Sequence, residues 1–402
     1  MDKHNIYKDD KKVYIGIDRA RIKNIEILSI ARKKLISNHN VKYIETKEFE
    51  GAYINASLSH NGYYVREITI KDDPYFKAFR FGAKRNNYDG AFIIYCSLEL
   101  IVDRKDGSKN LFPYTVSEFH ARINLIRQHL IDRYGIIVSF KEAKFDELEI
   151  NKTASMDNKF IAYDYLLSNI RYLASSKWTT VTHEKSTEIN QIALVNGCMK
   201  IKCYDKTKQL QAIKKTKKKD DMITMESEEE RLNRLAKEDR ESQEEAYREQ
   251  LIKKNWLRIE YCFLKQDKII RDLNIVNIYQ LTDEKINSYL NEQIEKELLT
   301  PIRVHLATGN KQLLKMAKEI LKQSNRRWIS TFTIKAIAEK VNKTNGKLDL
   351  LIDTQQLKDI IKKLTPDHAS RNIKTLEKTL VNYPYLYNNI IHLEEITEKF
   401  TT

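Results

Sequence analysis

Three short segments hold residues whose types and spacing could do chemistry. In DELEI (146–150), strand alternation puts Glu147 and Glu149 on one face and Leu148 and Ile150 on the other. In LRIEYCFL (257–264), Arg258 and Glu260 share a face, opposite Leu257, Ile259, Tyr261 and Phe263. In KIKCYDKTKQL (200–210), Tyr204 and Lys206 share a face, with Asp205 on the other near the strand end. Carboxylates from separate strands that converge on one sheet face could hold Mg2+ or Mn2+ through oxygen ligands. Such an ion would polarise a scissile phosphate for attack by a tyrosine hydroxyl. Lys206 or Arg258 could offset the negative charge that develops. The alternative is an exposed sheet face carrying ordinary salt bridges.

Other chemistries are excluded by missing motifs. The chain has no GxxxxGK[ST] phosphate loop, no GxGxxG, no GxSxG elbow and no HExxH. With 10 glycines, a nucleotide-cradling loop is hard to find at all. The 9 histidines include no His-hydrophobic-His pair, so the metal site of His-dependent nicking enzymes is missing. The 4 cysteines form no CxxC pair and no zinc spacing. They read as small buried hydrophobes in a reducing cytoplasm.

Composition points to a polyanionic partner. The 402 residues carry 71 Lys and Arg against 56 Asp and Glu, a net charge of +15. Neutralising phosphates releases counterions, which is the simplest physical reason for such an excess. An AT-rich genome encoding many lysines is the bland alternative. No apolar signal core opens the chain and no apolar run reaches about 18 residues, so no membrane association is expected.

The elements that must position these residues form an α+β fold. VYIGI (13–17), YYVREITI (63–70) and FIIYCSLELIV (92–102) read as strands, with turns at Asp89-Gly90 and Asp106-Gly107. Thr115 or Ser117 can cap a helix at about 116–133, which Gly135 ends. IIVSFKEAKFDELEI then gives strands, read as a hairpin, before a helix at about 157–174. Asn196-Gly197 marks a second hairpin within 189–210. Residues 214–254 are charged throughout and read as a solvated helical insertion. The insertion opens on Lys214, Lys215, Lys217, Lys218 and Lys219, which are candidate phosphate contacts. From 266 to 402 short basic helices suggest a helical, winged-helix-like DNA-binding domain, with Arg326, Arg327 and Lys335 as candidate contacts. A plain dimerisation or capping domain is the alternative. The expected organisation is a β-rich domain over 1–265 and an α domain over 266–402, with no internal repeat.

The order of motifs resembles the replication initiators of filamentous phages and of rolling-circle plasmids that lack the His pair. There, a strand with an acidic residue precedes a Y-[DN]-K-x-x-[EQ] segment, and an L-R-[IV]-E strand follows. Here these are FDELEINKT, Tyr204-Asp205-Lys206 within KCYDKTKQL, and Leu257-Arg258-Ile259-Glu260. The match covers roughly residues 90–265. The resemblance implies a nick at a double-strand origin, with a tyrosine joined to the 5′ phosphate and a 3′ hydroxyl left for the polymerase. Glu149 and Glu260 match the metal-holding positions, with Asp205 as a further candidate ligand. Origin DNA, a host helicase and a second copy of the chain are the expected partners. In the plasmid branch the nucleophilic tyrosine lies on the hairpin strand before the YDK segment. That strand here is EINQIALV, which has no tyrosine. Either Tyr204 serves, or the nicking activity is lost and a DNA-binding protein remains.

Overall fold

The computed structural model describes residues 13–31, 34, 41–46, 64–71, 73–85, 92–101, 113–168, 178–181, 191–212, 246, 249–323, 327–333, 353–381 and 388–402. The turns expected at Asp89-Gly90 and Asp106-Gly107, and most of the charged segment 214–254, lie outside these residues. The architecture is α+β, as expected from the sequence. Its strands are β1 (Val13–Lys23), β2 (Glu26–Ile30), β3 (Val41–Thr46), β4 (Tyr64–Lys71), β5 (Ala78–Arg85) and β6 (Phe92–Ile101), then β7 (Ile136–Ser139), β8 (Lys144–Met156), β9 (Thr179–Val181), β10 (Gln191–Val195), β11 (Met199–Asp205) and β12 (Asn255–Phe263).

Ten of these strands form one antiparallel sheet, ordered β3-β4-β5-β6-β1-β8-β12-β11-β10-β9. The order contains a repeat that the sequence does not display. In each five-stranded half the first strand of the half lies at the centre of the sheet. The next strand takes the outer edge, and the rest fill inward until the last lies beside the first. The central strands β1 and β8 run antiparallel, which relates the halves by an approximate two-fold axis near the Arg19–Glu149 pair.

β7 and β8 are not the hairpin expected of them. β7 pairs instead with β2 in a separate two-stranded ribbon, and β8 pairs with β1 and β12. The Asn196-Gly197 hairpin does form, joining β10 to β11. Gly16 is required where β1 meets residue Tyr114: a Cβ there would lie 2.2 Å from the Tyr114 carbonyl oxygen.

The sheet has one apolar face and one polar face. Helix α1 (Val116–His129) is capped by Thr115 and Glu118 as a reciprocal capping box, and buries Phe119, Ile123 and Ile126. It runs on as a π-turn to Gly135, whose φ of 66° ends it. The further helices are α2 (Ile161–Ser168), α3 (Lys206–Ala212), α4 (Gln266–Leu273), α5 (Asp283–Ile294), α6 (Thr300–Lys322), α7 (Thr354–Leu364), α8 (Ala369–Leu380) and α9 (Asn389–Thr401). Helices α4, α5 and α9 lie on β8, with α5 also on β1 and α4 on β12.

The apolar core does not divide at residue 265. The core beneath the sheet continues through Leu290, Leu299 and Leu306 and takes in Leu393, Ile396 and Phe400 of α9. A second, smaller core joins Leu313 and Ile320 of α6 to Phe332, Leu357, Ile361 and Leu376. The separate helical unit therefore spans about 313–380, and α9 returns to the sheet. Among the described residues no strand follows β12, so no wing is seen, and no helix is long and apolar enough to cross a membrane.

A charge sits on the apolar side of the sheet. Lys152 of β8 aligns with Ile259 and Ile15, so it points into the apolar face. It is 1% exposed, and its Nζ donates to Asn291 Oδ1 on α5 at 2.9 Å. Burial pushes its pKa down from 10.5 to about 8. Between those values the folded chain sheds a proton that the unfolded chain keeps, so this group makes stability rise with pH. Lys152→Met is expected to stabilise the chain at pH 7 by at most about 3 kcal/mol. The gain should shrink as pH approaches 10.5. Urea denaturation of both chains at neutral and alkaline pH checks this, and an equal gain at both would overturn the desolvation account.

Candidate active site

The polar face gathers its charges where β8, β12 and β11 run side by side. Across the ladder Asn151, Glu260 and Lys202 align, as do Thr153, Arg258 and Tyr204. Paired residues in an antiparallel ladder share a face, so register alone brings these side chains together. The strands thus bring Glu149, Glu260, Tyr204 and Arg258 into one cluster, as the alternation in the sequence predicts.

Glu260 is its centre. The Tyr204 hydroxyl donates to Glu260 Oε1. Lys202 Nζ donates to Glu260 Oε2 at 2.6 Å and to Glu149 Oε1 at 3.1 Å. Arg258 Nη1 lies 3.6 Å from Glu260 Oε1 and 3.4 Å from Asp18 Oδ1. Arg258 Nε donates to Thr153 Oγ1 at 2.7 Å. The thiol of Cys262, two residues on from Glu260 along β12, donates to Glu149 Oε2 at 3.2 Å. Asn151 lies beside Glu260, fully buried, and its Nδ2 has no hydrogen-bond partner.

A local irregularity supplies the last counter-charge. The register of β1 against β8 shifts between Ile17 and Arg19. This bulge turns Asp18 toward Arg258, while Arg19 faces Glu99 at 2.6 Å. An apolar lid closes one end. Tyr14 and Trp256 pack with Leu210 of α3, just before the charged segment, and with Leu251 near its end.

The two carboxylates differ in proton affinity. Burial raises Glu149, the nearby Glu260 charge raises it further, and its pKa reaches about 7. Burial would also raise Glu260, but Lys202 and Arg258 outweigh it and hold the pKa down at about 2. Burial and the Glu260 charge raise Tyr204, so its proton stays on. Lys202 is buried too, yet the charges around it hold it protonated.

Two residues fall outside the cluster. The β11 alternation stops at Asp205, because Lys206 opens α3 and its Nζ donates to Gln209 at 2.6 Å. Lys206 therefore does not stand beside Tyr204 on a strand. Asp205 faces the other way and accepts the backbone N–H of Lys208 at 3.0 Å, so it caps α3 and holds no metal with the other two. Burial raises its pKa. Cys262 replaces it: one ligand atom each from Glu149, Glu260 and Cys262 lie within 4.8 Å of one another. Lys202 and Cys262 were legible as period-two neighbours of Tyr204 and Glu260. Asp18 was not, because a bulge breaks the period.

Of the basic residues expected to contact DNA, Lys214, Lys215, Lys217, Lys218, Lys219, Arg326 and Lys335 lie outside the described residues. Arg327 is exposed at the start of the helical residues 328–333. No protein-family model matches the chain, and neither does any curated protein or solved structure.

The unequal carboxylates give opposite mutational signs. Glu260 contributes stability above pH 4.5 that is lost as pH falls toward 2, so Glu260→Gln is expected to cost about 3 kcal/mol at pH 7. Glu149 carries a penalty that is complete above pH 7 and absent below 4.5. Glu149→Gln should therefore stabilise at pH 8 and approach wild type at pH 5, as read by urea denaturation. Equal losses for the two variants would contradict the assigned charge states.

Proposed function

We propose that this chain is a rolling-circle replication initiator. It binds duplex DNA at an origin and cuts one strand, with Tyr204 as nucleophile and Mg2+ or Mn2+ held by Glu149 and Glu260. The observation that supports this reading is the convergence of a tyrosine hydroxyl, two carboxylates and two cations from three adjacent strands.

The donor set suits such an ion. Glu149 and Glu260 offer hard oxygens within reach of one another, and Cys262 adds a softer ligand better matched to Mn2+ than to Mg2+. Lys202 Nζ now bridges the two carboxylates, so it must turn outward to admit a dication. Its side chain is 18% exposed, which leaves it a route to a DNA phosphate. A bound dication would polarise the scissile phosphate.

The protein's own groups account for the rest of the step. The Tyr204 hydroxyl gives its proton to Glu260 Oε1, which already accepts it as a hydrogen bond. Lys202 leaves Glu260 for the phosphate, and a bound dication would take its place as counter-charge and favour ionisation of the Tyr204 hydroxyl. The phenolate oxygen bonds to phosphorus, the bond to the 3′ oxygen breaks, and that oxygen takes a proton from water. Lys202 offsets the charge that builds on the phosphoryl oxygens.

A second reading rests on a specific observation: Tyr204 is only 5% exposed, and Lys202 closes the space between the carboxylates. On that reading the cluster is a structural ion network in an origin-binding protein that does not cut.

The test uses a supercoiled plasmid bearing the coding sequence of this chain with its flanks. With Mn2+ the expected products are nicked circles carrying protein covalently on the 5′ end, and Tyr204→Phe should abolish both. Salt-sensitive binding without any nicked product selects the second reading. No salt-sensitive binding to DNA overturns both.

A further inference from the structure

The small helical unit has a charge pattern that the sheet does not explain. Its sequence TQQLKDIIKKLTPDHASRNIKTLEKTL (354–380) folds as α7, a short turn and α8. Asp353 caps α7 by accepting the Gln355 N–H at 2.7 Å. Leu357, Ile360 and Ile361 of α7 and Leu376 and Leu380 of α8 face the small core.

The turn between the helices is fixed. Residues Pro366–His368 form a single 3-10 turn. Thr365 Oγ1 donates to the Ile361 carbonyl at 2.9 Å, and Asn372 Nδ2 donates to Thr365 Oγ1 at 2.9 Å. A side chain from the second helix thus grips the end of the first. A change in the angle between them strains the Asn372–Thr365 bond.

The outward face of α8 is basic. Ser370, Arg371, Lys374, Thr375 and Lys378 line a shallow groove of about 430 Å3. Arg371, Lys374 and Lys378 recur at steps of three and four, so they form one stripe about 10 Å long. The exposed carboxylate on the helix, Glu377, is engaged by Lys358 of α7 at 2.8 Å. The stripe therefore keeps its full positive charge, with two hydroxyls beside it.

We propose that α7, the turn and α8 form a helix-turn-helix unit whose second helix enters the major groove of duplex DNA. Three observations support it. Two helices are joined by four residues, Thr365, Pro366, Asp367 and His368, and are tied together by the Asn372–Thr365 bond. Helix α8 turns Leu376 and Leu380 to the unit's core and leaves Arg371, Lys374 and Lys378 exposed, while α7 adds the exposed Lys362 and Lys363 at its end. The α8 face offers three cationic side chains, donors that phosphates and base edges accept, while the Thr375 hydroxyl donates to the Arg371 carbonyl. The B-form major groove is about 12 Å wide and admits a helix of this kind. The choice of DNA as ligand rests on the function proposed above, while the placement of contacts on α8 rests on the helical unit alone.

The experiment uses the full chain and a fluorescein-labelled duplex of mixed sequence, titrated by anisotropy at several salt concentrations. Arg371→Ala/Lys374→Ala/Lys378→Ala is expected to weaken binding at least about tenfold and to reduce the salt slope by about 2 to 3. Its circular dichroism melt should match wild type, because all three side chains are exposed. Thr375→Asp, a second exposed change, should weaken binding in the same direction by adding a repelled charge. Lys141→Ala/Lys159→Ala/Lys265→Ala removes three exposed lysines elsewhere and should change affinity less than about twofold. Wild-type affinity in the α8 variants overturns the proposal, as does an equal loss in the control or a preference for single strands or RNA over the duplex. Loss of binding in the α8 variants without nicking by wild type leaves this inference standing and removes only the cutting reading.

Discussion

The Glu260 carboxylate is 2% exposed and still charged, because Lys202, Arg258 and the Tyr204 hydroxyl replace the water it has lost. An unpaired charge at such a depth would be neutralised or would unfold its surroundings. The three donors come from β11 and β12, and they meet the carboxylate only because Lys202 lies opposite Glu260 and Tyr204 opposite Arg258. A slip of β11 by one residue would send Lys202 and Tyr204 to the apolar side. Register and charge thus enforce each other. The Asp18 bulge belongs to the same arrangement, since it brings the balancing carboxylate to an arginine with no contact to solvent.

The duplicated topology shows how much of this is architecture and how much is particular to one half. Counting two residues on from the Arg19–Glu149 pair reaches Arg21 on β1 and Asn151 on β8. Arg21 faces Glu99 on β6, and Asn151 faces Glu260 on β12. Both halves therefore keep a buried carboxylate at the same place. Around Glu99 the partners are Arg19 at 2.6 Å and Lys77 at 3.0 Å, both reaching in from more open positions. Tyr95 of β6 donates to Glu67 instead. One half has dispersed its polar groups and the other has concentrated them. The same backbone plan supports an ordinary charge lattice on one side and a tyrosine–carboxylate cluster on the other.

What the sequence disclosed was local. Alternation identified β1, β4, β6 and β12, Thr115 marked the start of α1, and Asn196-Gly197 marked the β10–β11 hairpin. Each is decided by residues a few positions apart. Alternation also put Glu260 with Arg258, and register then placed Tyr204 against both. What the sequence hid was non-local. The partner of β7 is β2, more than a hundred residues earlier, and no neighbouring residue announces it. Lys206 leaves its strand because Asp205 prefers to cap a helix, a competition that period-two counting does not register. The boundary expected at 265 failed for a similar reason. The apolar stripes of α4, α5 and α9 do not say which sheet they will cover.

The crossing between the two cores has a consequence of its own. Helix α6 begins in the core of the sheet at Ile302 and ends in the small core at Ile320, without interruption. The start of α7 is tied to both neighbours. Asp353 Oδ2 accepts the Ile390 N–H at 2.8 Å, and Gln356 donates to the Leu306 carbonyl at 3.1 Å. Helix α9 is fastened to α2 through Tyr163 and to the residue after β8 through Asp157. Among the described residues, α6, the start of α7 and the start of α9 are thus tied together at nearly one place. A unit mounted in this way is a cartridge. Its outward residues can be rewritten by mutation or exchanged as a block, while the register that protects Glu260 is left alone. Such a mounting lets the two parts of the molecule diverge at different speeds.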